Sequence, residues 1–590
     1  LIQGKSVRLV GHADTRPTRP AFHRDCFRAA EVSGGGRIFR HYRAAQPGPF
    51  VMTQIAPAIL AVLLALSALP SAGQEKEVAK PEAAKSEAAK ADVPKAGDKP
   101  AEGGAKVKDA AKETKPAEGG GKEKDKKTET DHSITLGGKK IDFTATAGTL
   151  ALKDAEGKTT ADIFYIAYVK KGETETSARP LTFSFNGGPG SSSVWLHMGL
   201  LGPRRVKLRD DGFAVPPPYQ LVENEFSLLD ETDLVFIDPV GTGFSRAAKP
   251  EEAKNFFGVN EDARSIGEFI RLYITRHSRW PSPKFLIGES YGTTRAAALS
   301  GELMRAHRMN LNGIMLVSTV LNFQTIWGAE GNDLPHILYL PSFAATAWYH
   351  QKLSADLQKK PLAEVLAEAE KFASGEYNQA LLLGAGLPPA ERSKVVRQMA
   401  RLTGLTEAFV DASNLRVPLH RFNAELLRDK RLVTGRFDSR YTNYVRDPLS
   451  EGAESDPSAD AIFSAYASTF NHYVRSDLKF EDDRPYHILA SVGKWNWSAE
   501  NQFADVSEVL AESMTANPYL KVHVSNGYFD MATPYFASRY TFNHLRIHPD
   551  LMKNIVQDDY MAGHMMYLNL QDLKKQKEDL ARFIRSASGQ

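Results

Sequence analysis

Four short apolar runs, each closed by turn residues, constrain the fold more than any other feature of the sequence. They are PLTFSFNGG (180–188), DLVFIDPVG (233–241), KFLIGES (284–290) and LNGIMLVST (311–319). Apolar runs this short, bounded by turn signals, fit strands covered on both faces, as in parallel α/β sheets. Helical patterns separate several of them, EDARSIGEFIRLYITRHS at 261–278 and TTRAAALSGELMRAH at 293–307. Strands alternating with helices imply a largely parallel sheet. Ahead of these, SITLGGKKIDFTATAGTLALKD (133–154) alternates apolar and polar residues around glycine turns, as antiparallel strands do, and ADIFYIAYVKKG (161–172) reads as a further strand.

The alternation stops near Asn322. From there to about Asp483 the sequence is mostly helical and charged, as in PLAEVLAEAEKFASGEY (361–377) and AERSKVVRQMARLTG (390–404). The core pattern then resumes with FADVSEVLAESMTA (503–516) and KVHVSNGYFD (521–530), and the chain closes on the amphipathic LQDLKKQKEDLARFIRSA (570–587). The expected fold class is α/β, a mostly parallel central sheet flanked by helices, with a helical cap inserted at about 323–483.

The folded domain is expected over 133–590. Residues 1–51 are rich in Arg and Gly with no sustained apolar period, and the first methionine is Met52. They read as an untranslated leader or a disordered arm. The apolar run after Met52 is about 15 residues, short of the roughly 20 that span a bilayer. It ends at Ser71-Ala72-Gly73, a small-x-small cleavage pattern, so 52–73 reads as a signal peptide, with an uncleaved anchor as the alternative. Residues 74–132 are dominated by Lys, Ala, Glu, Pro and Gly and carry the near-repeat KPAEGGAK/KPAEGGGK. With almost no large apolar residues to bury, this segment is expected to be a flexible charged linker. A secreted or periplasmic location follows, with no stable membrane span once the signal is removed.

Net charge is +3, which does not mark a nucleic-acid binder. The single cysteine, Cys26, allows neither an internal disulfide nor a cysteine metal site. No HExxH pattern is present, and the GTG of DPVGTGFS lacks the third glycine of a dinucleotide loop. No metal or other cofactor is expected.

The chemistry concentrates where the third apolar run meets a helix. Strand, Gly288-Glu289-Ser290-Tyr291-Gly292, then helix is the context of a nucleophile elbow. The turn is sharp enough that the residues two before and two after the serine crowd each other, and glycine at both places removes the clash. Taken alone, the stretch also fits a tight strand–helix turn. A nucleophilic serine needs a base, and the base needs an orienting carboxylate, in the chain order Ser, Asp or Glu, His. Asp530 closes the strand-like KVHVSNGYFD, and His564 lies in DDYMAGHMMYLN (558–569), a glycine-containing loop before a helix. His544, within a helical pattern, and His548, before a proline turn, are less apt. An oxyanion hole needs two backbone N–H groups, one from Tyr291 and one from a loop after an earlier strand, for which FNGGPGSSS (185–193) is suited.

In order along the chain, NGGPGSSS, DPVGTGFS, GESYG, NGYFDMATP and AGHMMY resemble the serine carboxypeptidases, from about Ile134 to the C-terminus, with the chain similar to bacterial members. The resemblance implies an α/β-hydrolase fold, a triad of Ser290, Asp530 and His564, and oxyanion donors at Gly188 and Tyr291. It also implies that Asn186, Gly187 and Glu289 meet the substrate's C-terminal carboxylate. Glu289 can donate to a carboxylate only when protonated, so exopeptidase action should favour acidic pH. Two positions depart from the family pattern. Ser184 stands where the family often has tryptophan, and Leu200 where it often has the glutamate that partners the one beside the nucleophile.

The expected function is therefore a serine-type carboxypeptidase acting on peptide or protein C-termini through an acyl-enzyme. An esterase or acyltransferase on the same triad is the alternative, helped by the two departures. A non-catalytic envelope-binding protein is the remaining one.

Overall fold

The computed structural model describes residues 126–173 and 178–589. The expected leader, the signal peptide and the linker as far as residue 125 lie outside the described residues. Among those described, ten strands form one mixed sheet. Nine lie along its path: β1 (Lys127–Leu136), β2 (Lys139–Lys153), β3 (Thr159–Lys170), β4 (Leu181–Phe185), β5 (Asp233–Ile237), β6 (Lys284–Glu289), β7 (Gly313–Val317), β8 (Lys521–Gly527) and β9 (Ile555–Tyr560). Their spatial order is β1-β2-β3-β5-β4-β6-β7-β8-β9, and the short Arg246–Ala247 strand pairs with β3 off this path. Pairing is antiparallel from β1 through β3 to β5 and parallel from β5 to β9. This is the mostly parallel α/β sheet that the apolar runs imply.

The four runs become β4, β5, β6 and β7, and in each every residue is buried. Their side chains divide between two cores by the period of two that a strand imposes. Leu234 and Phe236 enter one core while Val235 and Ile237 enter the other; Phe285 and Ile287 likewise oppose Leu286. Helices α1 (Val259–Arg276) and α2 (Tyr291–His307) cover one face with Phe269, Ile270, Ala297 and Leu299.

The insert between β7 and β8 has two parts. Helices α3 (Leu334–Tyr349), α4 (Leu362–Phe372) and α5 (Pro389–Thr403) enclose a core of their own, built on Phe343, Val365 and Val396, with Phe343 stacked on Phe422 at 4.0 Å. The return leg does not belong to that core. Helix α6 (Pro457–Ser476) packs Ile462, Tyr466 and Phe470 onto the sheet's own core, beside the C-terminal helix α7 (Leu570–Ser588) with Leu580 and Ile584. The expected cap at 323–483 thus divides near the start of α6. Both parts read alike in sequence because helical period shows that a face is buried, not against what.

The folded chain also starts earlier than expected. Residues 127–132, assigned from sequence to the end of the linker, are the first part of β1, paired with β2 from Lys127↔Gly148 onward. None of them is fully buried. An edge strand of this kind is held by main-chain hydrogen bonds rather than by apolar side chains, so composition does not flag it.

Candidate active site

Because β4 to β9 run parallel, the loops that leave β4, β5, β6, β8 and β9 emerge at one edge of the sheet, where open α/β sheets place their sites. Those loops carry Asn186 to Ser193, Asp238, Ser290, Asp530 and His564.

Ser290 follows β6 directly and precedes α2, with φ 61° and ψ −130°. A left-handed φ on a non-glycine residue is a strained backbone, as the elbow requires. Its N–H donates to the carbonyl of Val317 at 3.0 Å, and its carbonyl accepts from the N–H of Thr293 at 2.8 Å. A Cβ on Gly288 would stand 2.1 Å from the carbonyl oxygen of Gly292, and one on Gly292 would stand 2.8 Å from that of Phe185. The two glycines of the motif are therefore needed by the backbone at this turn.

Asp530 and His564 meet. The Nδ1 of His564 is 2.8 Å from Oδ2 of Asp530, with His564 3% and Asp530 0% exposed. The other carboxylate oxygen of Asp530 accepts the N–H groups of Ala532 at 2.7 Å and Thr533 at 2.9 Å, and the Thr533 hydroxyl donates to Oδ2 at 2.8 Å. The imidazole is held from behind as well. Its backbone N–H donates to Phe437, its carbonyl accepts from Ser318 Oγ, and the Phe437 ring stacks on it at 5.2 Å. Burial by itself lowers the basicity of His564, but the Asp530 carboxylate, by charge and hydrogen bond, leaves its pKa raised. Ser290, Glu289 and His564 line a single cleft of about 360 Å³ together with Asn186, Gly187 and Gly188.

The glycine loop after β4 lies against the elbow. A Cβ on Gly187 would stand 2.4 Å from the backbone nitrogen of Tyr291, so only glycine lets these two segments approach. Gly188 has φ 102°. The far end of the loop is held by Asp238, whose Oδ1 accepts from the N–H of Ser193 at 2.8 Å and its hydroxyl at 2.9 Å. Beneath the loop, Arg295 of α2 donates to the carbonyl of Asn186 and pairs with buried Asp262 at 2.7 Å. One guanidinium thus ties the glycine loop to the helix that starts at the elbow.

Glu289 is fully occupied. Its Oε1 accepts from the side-chain amide of Asn186 at 2.9 Å and its Oε2 from the hydroxyl of Tyr567 at 2.6 Å. Burial pushes its pKa up to about 7, against the opposing pull of His564, Tyr567 and Asn186. Leu200, at the position of the usual partner glutamate, is wholly buried in apolar core.

Sequence reasoning assigned no role to Tyr567, Asp238, Arg295 or Thr533. Tyr567 and Asp238 both stand inside stretches that carried the resemblance, AGHMMY and DPVGTGFS, but nothing local shows which carboxylate or loop each will face. Arg295 has no signal beyond being a charge within the apolar face of α2.

A sheet of this order, with a serine on a strained strand–helix elbow and a histidine–aspartate pair at the same edge, is the architecture of the α/β-hydrolases. Within that class the chain belongs to the serine carboxypeptidase family, whose model matches residues 137–573. Curated relatives include serine carboxypeptidase-like 45 of Arabidopsis thaliana, 29% identical over 198 residues, covering 32% of this chain and 39% of the relative. Serine carboxypeptidase-like 46 of the same plant is 25% identical over 291 residues, covering 46% and 58%. The chain thus spans less than two thirds of the length of these relatives. Among solved structures, a prohormone-processing carboxypeptidase from Saccharomyces cerevisiae is similar at 17% identity and a TM-score of 0.46, over 75% of this chain and 92% of that one.

Proposed function

We propose that the protein is a serine-type carboxypeptidase that hydrolyses C-terminal peptide bonds through an acyl-enzyme on Ser290. The observation that carries this reading is the 2.8 Å bond between His564 and the buried Asp530, in the cleft that Ser290 also lines. In this mechanism Nε2 of His564 takes the proton of Ser290 as its Oγ attacks the peptide carbonyl. Asp530 keeps the proton of His564 on Nδ1, which leaves Nε2 free to accept, and it stabilises the imidazolium that forms. The N–H groups of Gly188 and Tyr291 receive the oxyanion, the latter at the positive end of α2. Collapse of the tetrahedral intermediate expels the C-terminal amino acid, which takes its proton from His564. Water, activated by the same imidazole, then releases the acyl group.

The substrate's terminal carboxylate is assigned to Asn186, Gly187 and Glu289. A Glu289 that holds its proton up to about pH 7 can donate to that carboxylate where an ordinary glutamate would repel it. Mass spectrometry of peptide digestion tests the reading. Stepwise loss of C-terminal residues that vanishes in Ser290→Ala supports it. Internal cleavage only, or activity that survives the substitution, overturns it.

Leu200 favours a second reading, an esterase or acyltransferase on the same triad, because the carboxyl that usually faces Glu289 is absent. Hydrolysis of blocked amides or esters faster than free-acid peptides would select it. A secreted or periplasmic location is proposed on the apolar run of 52–73, and a spacer role for the Lys/Ala/Glu-rich residues after it. Among the described residues no helix is long and apolar enough to cross a membrane.

A further inference from the structure

One cation lines the cleft without a carboxylate of its own. Arg436 stands in the lining with Ser290, Glu289 and His564, and its side chain is exposed. Of the arginines near it in sequence, Arg428 pairs with Glu425 at 2.6 Å and Arg440 with Asp438 at 2.6 Å, and Arg431 does not line the cleft. Among the described residues no acid lies within ion-pair distance of the Arg436 guanidinium. Asp456, the nearest acid by hydrogen bonding, is committed to the main chain and to Ser458. It accepts the N–H groups of Arg436 at 3.0 Å and Phe437 at 3.1 Å, and the N–H of Ser458 at 3.0 Å. Glu289, the acid that shares the cleft, has both oxygens bonded to Asn186 and Tyr567.

The position of Arg436 is built into the site. Its carbonyl accepts from the N–H of Met531, the residue after Asp530, at 3.0 Å. The next carbonyl, of Phe437, accepts the N–H of His564. The two-residue segment is thus bonded to both loops that carry the histidine–aspartate pair. The guanidinium lies over the Phe437 ring at 5.5 Å, and that ring stacks on His564. An arginine held in this way, without an ion-pair partner and lining a cleft that also carries the apolar side chains of Trp195, Phe463, Leu489 and Met565, is suited to a planar anion.

We propose that Arg436 is a specificity-determining residue that binds a carboxylate of the substrate close to the scissile bond. This deepens the carboxypeptidase reading and rests on it. Two carboxylates have this chemistry, an acidic side chain flanking the bond and the main-chain carboxylate at the peptide's end. The main-chain carboxylate is already assigned to the amide and acid at the base of the cleft, so the side chain is the source Arg436 selects.

The test compares N-blocked peptides that differ only by Glu against Gln, placed first before and then after the scissile bond, each as free acid and as C-terminal amide. Wild-type protein should favour Glu at one of the two places by about tenfold or more in kcat/KM, the worth of a charged hydrogen bond. Arg436→Met should collapse that ratio, Arg436→Lys should restore part of it, and Arg436→Glu should transfer the preference to Lys. A ratio near one in the wild type, or one that Arg436→Met leaves in place, overturns the proposal. A loss confined to free acids over amides, with no Glu/Gln effect, assigns Arg436 to the terminal carboxylate instead and overturns the side-chain source. The rate of Ser290 labelling by neutral and carboxylate-bearing fluorophosphonates separates this from the underlying reading. Peptides left intact while labelling keeps the charge preference would sink the peptidase and retain the arginine. Cleavage without charge preference does the reverse, and a Ser290 that neither probe labels removes both.

Discussion

The hydroxyl of Tyr567 donates to Oε2 of Glu289 at 2.6 Å, in a chain whose Leu200 replaces the usual carboxyl partner of that glutamate. The ring of Tyr567 occupies space that only a glycine leaves: a Cβ on Gly199 would stand 2.3 Å from it. The apolar residue at 200 thus stands beside a glycine at 199 that makes room for the Tyr567 ring, and the tyrosine supplies the hydrogen bond. A phenol stabilises Glu289 as an anion and does not share its proton as a second carboxyl does.

Removing that hydroxyl should therefore raise the pKa of Glu289 further. Tyr567→Phe keeps the ring and its packing. The expected result is a free-acid kcat/KM little changed at acidic pH and raised by up to about tenfold on the alkaline side, in line with the worth of a hydrogen bond to a charged group. The alkaline limb of the pH profile should also move upward. A unchanged limb would show that Tyr567 only fills space.

The pH dependence has two limbs that fall in opposite directions. His564 must be neutral to take a proton, so activity falls as pH drops through its raised pKa. Glu289 must be protonated to receive a substrate carboxylate, and burial holds its pKa at about 7, so activity on free acids falls as pH rises through that value. The two groups interact, so the limbs belong to the pair. Blocked amides and esters should lack the alkaline limb. Glu289→Gln should abolish it for free acids, and steady-state kinetics from pH 4 to 9 would read both.

Asp530→Asn tests the orienting carboxylate. The asparagine oxygen can keep the N–H bonds of Ala532 and Thr533, which turns its N–H₂ toward Nδ1 of His564. That forces the proton onto Nε2, the wrong tautomer for accepting one from Ser290. A loss in kcat of about 10⁴ is expected with the fold retained, as checked by circular dichroism.

Gly187→Ala should act on chemistry as well as on binding. The added methyl would meet the Tyr291 nitrogen at 2.4 Å and push the glycine loop off the elbow. A loss of about 10²–10³ in kcat is expected, the scale of one lost oxyanion donor. Slow labelling of Ser290 with a nearly unchanged melting temperature would show it, and full activity would count against this loop as part of the site.

Arg295→Met should destabilise the protein by about 3–5 kcal/mol, because Asp262 would remain as a buried charge without its partner. Urea unfolding followed by tryptophan fluorescence measures it. Arg295→Met with Asp262→Asn together should recover part of the loss if the pair, rather than packing, is what matters.

Local pattern was enough for the sheet's class and its central strands, but not for β9, whose last residues, Asp558 to Tyr560, read as part of the histidine loop. Local apolar runs, their length and the helices between them are enough to specify buried parallel strands, because a strand covered on both faces is written as a short, nearly continuous apolar run. It also marked Gly288 and Gly292, since a sharp turn leaves no room for a Cβ at either. What it could not determine was anything that depends on which surfaces meet. The polar first half of β1 read as linker because its partner is main chain, and α6 read as cap although it packs on the sheet.

The surroundings of Glu289 were decided in the same way. Tyr567 is 278 residues away from it, and Arg295 is 109 residues from the carbonyl it holds. Local pattern records that a side chain is buried or a turn is tight. Which donor faces which acceptor is settled only when strands far apart in the chain lie side by side and bring their loops to one edge.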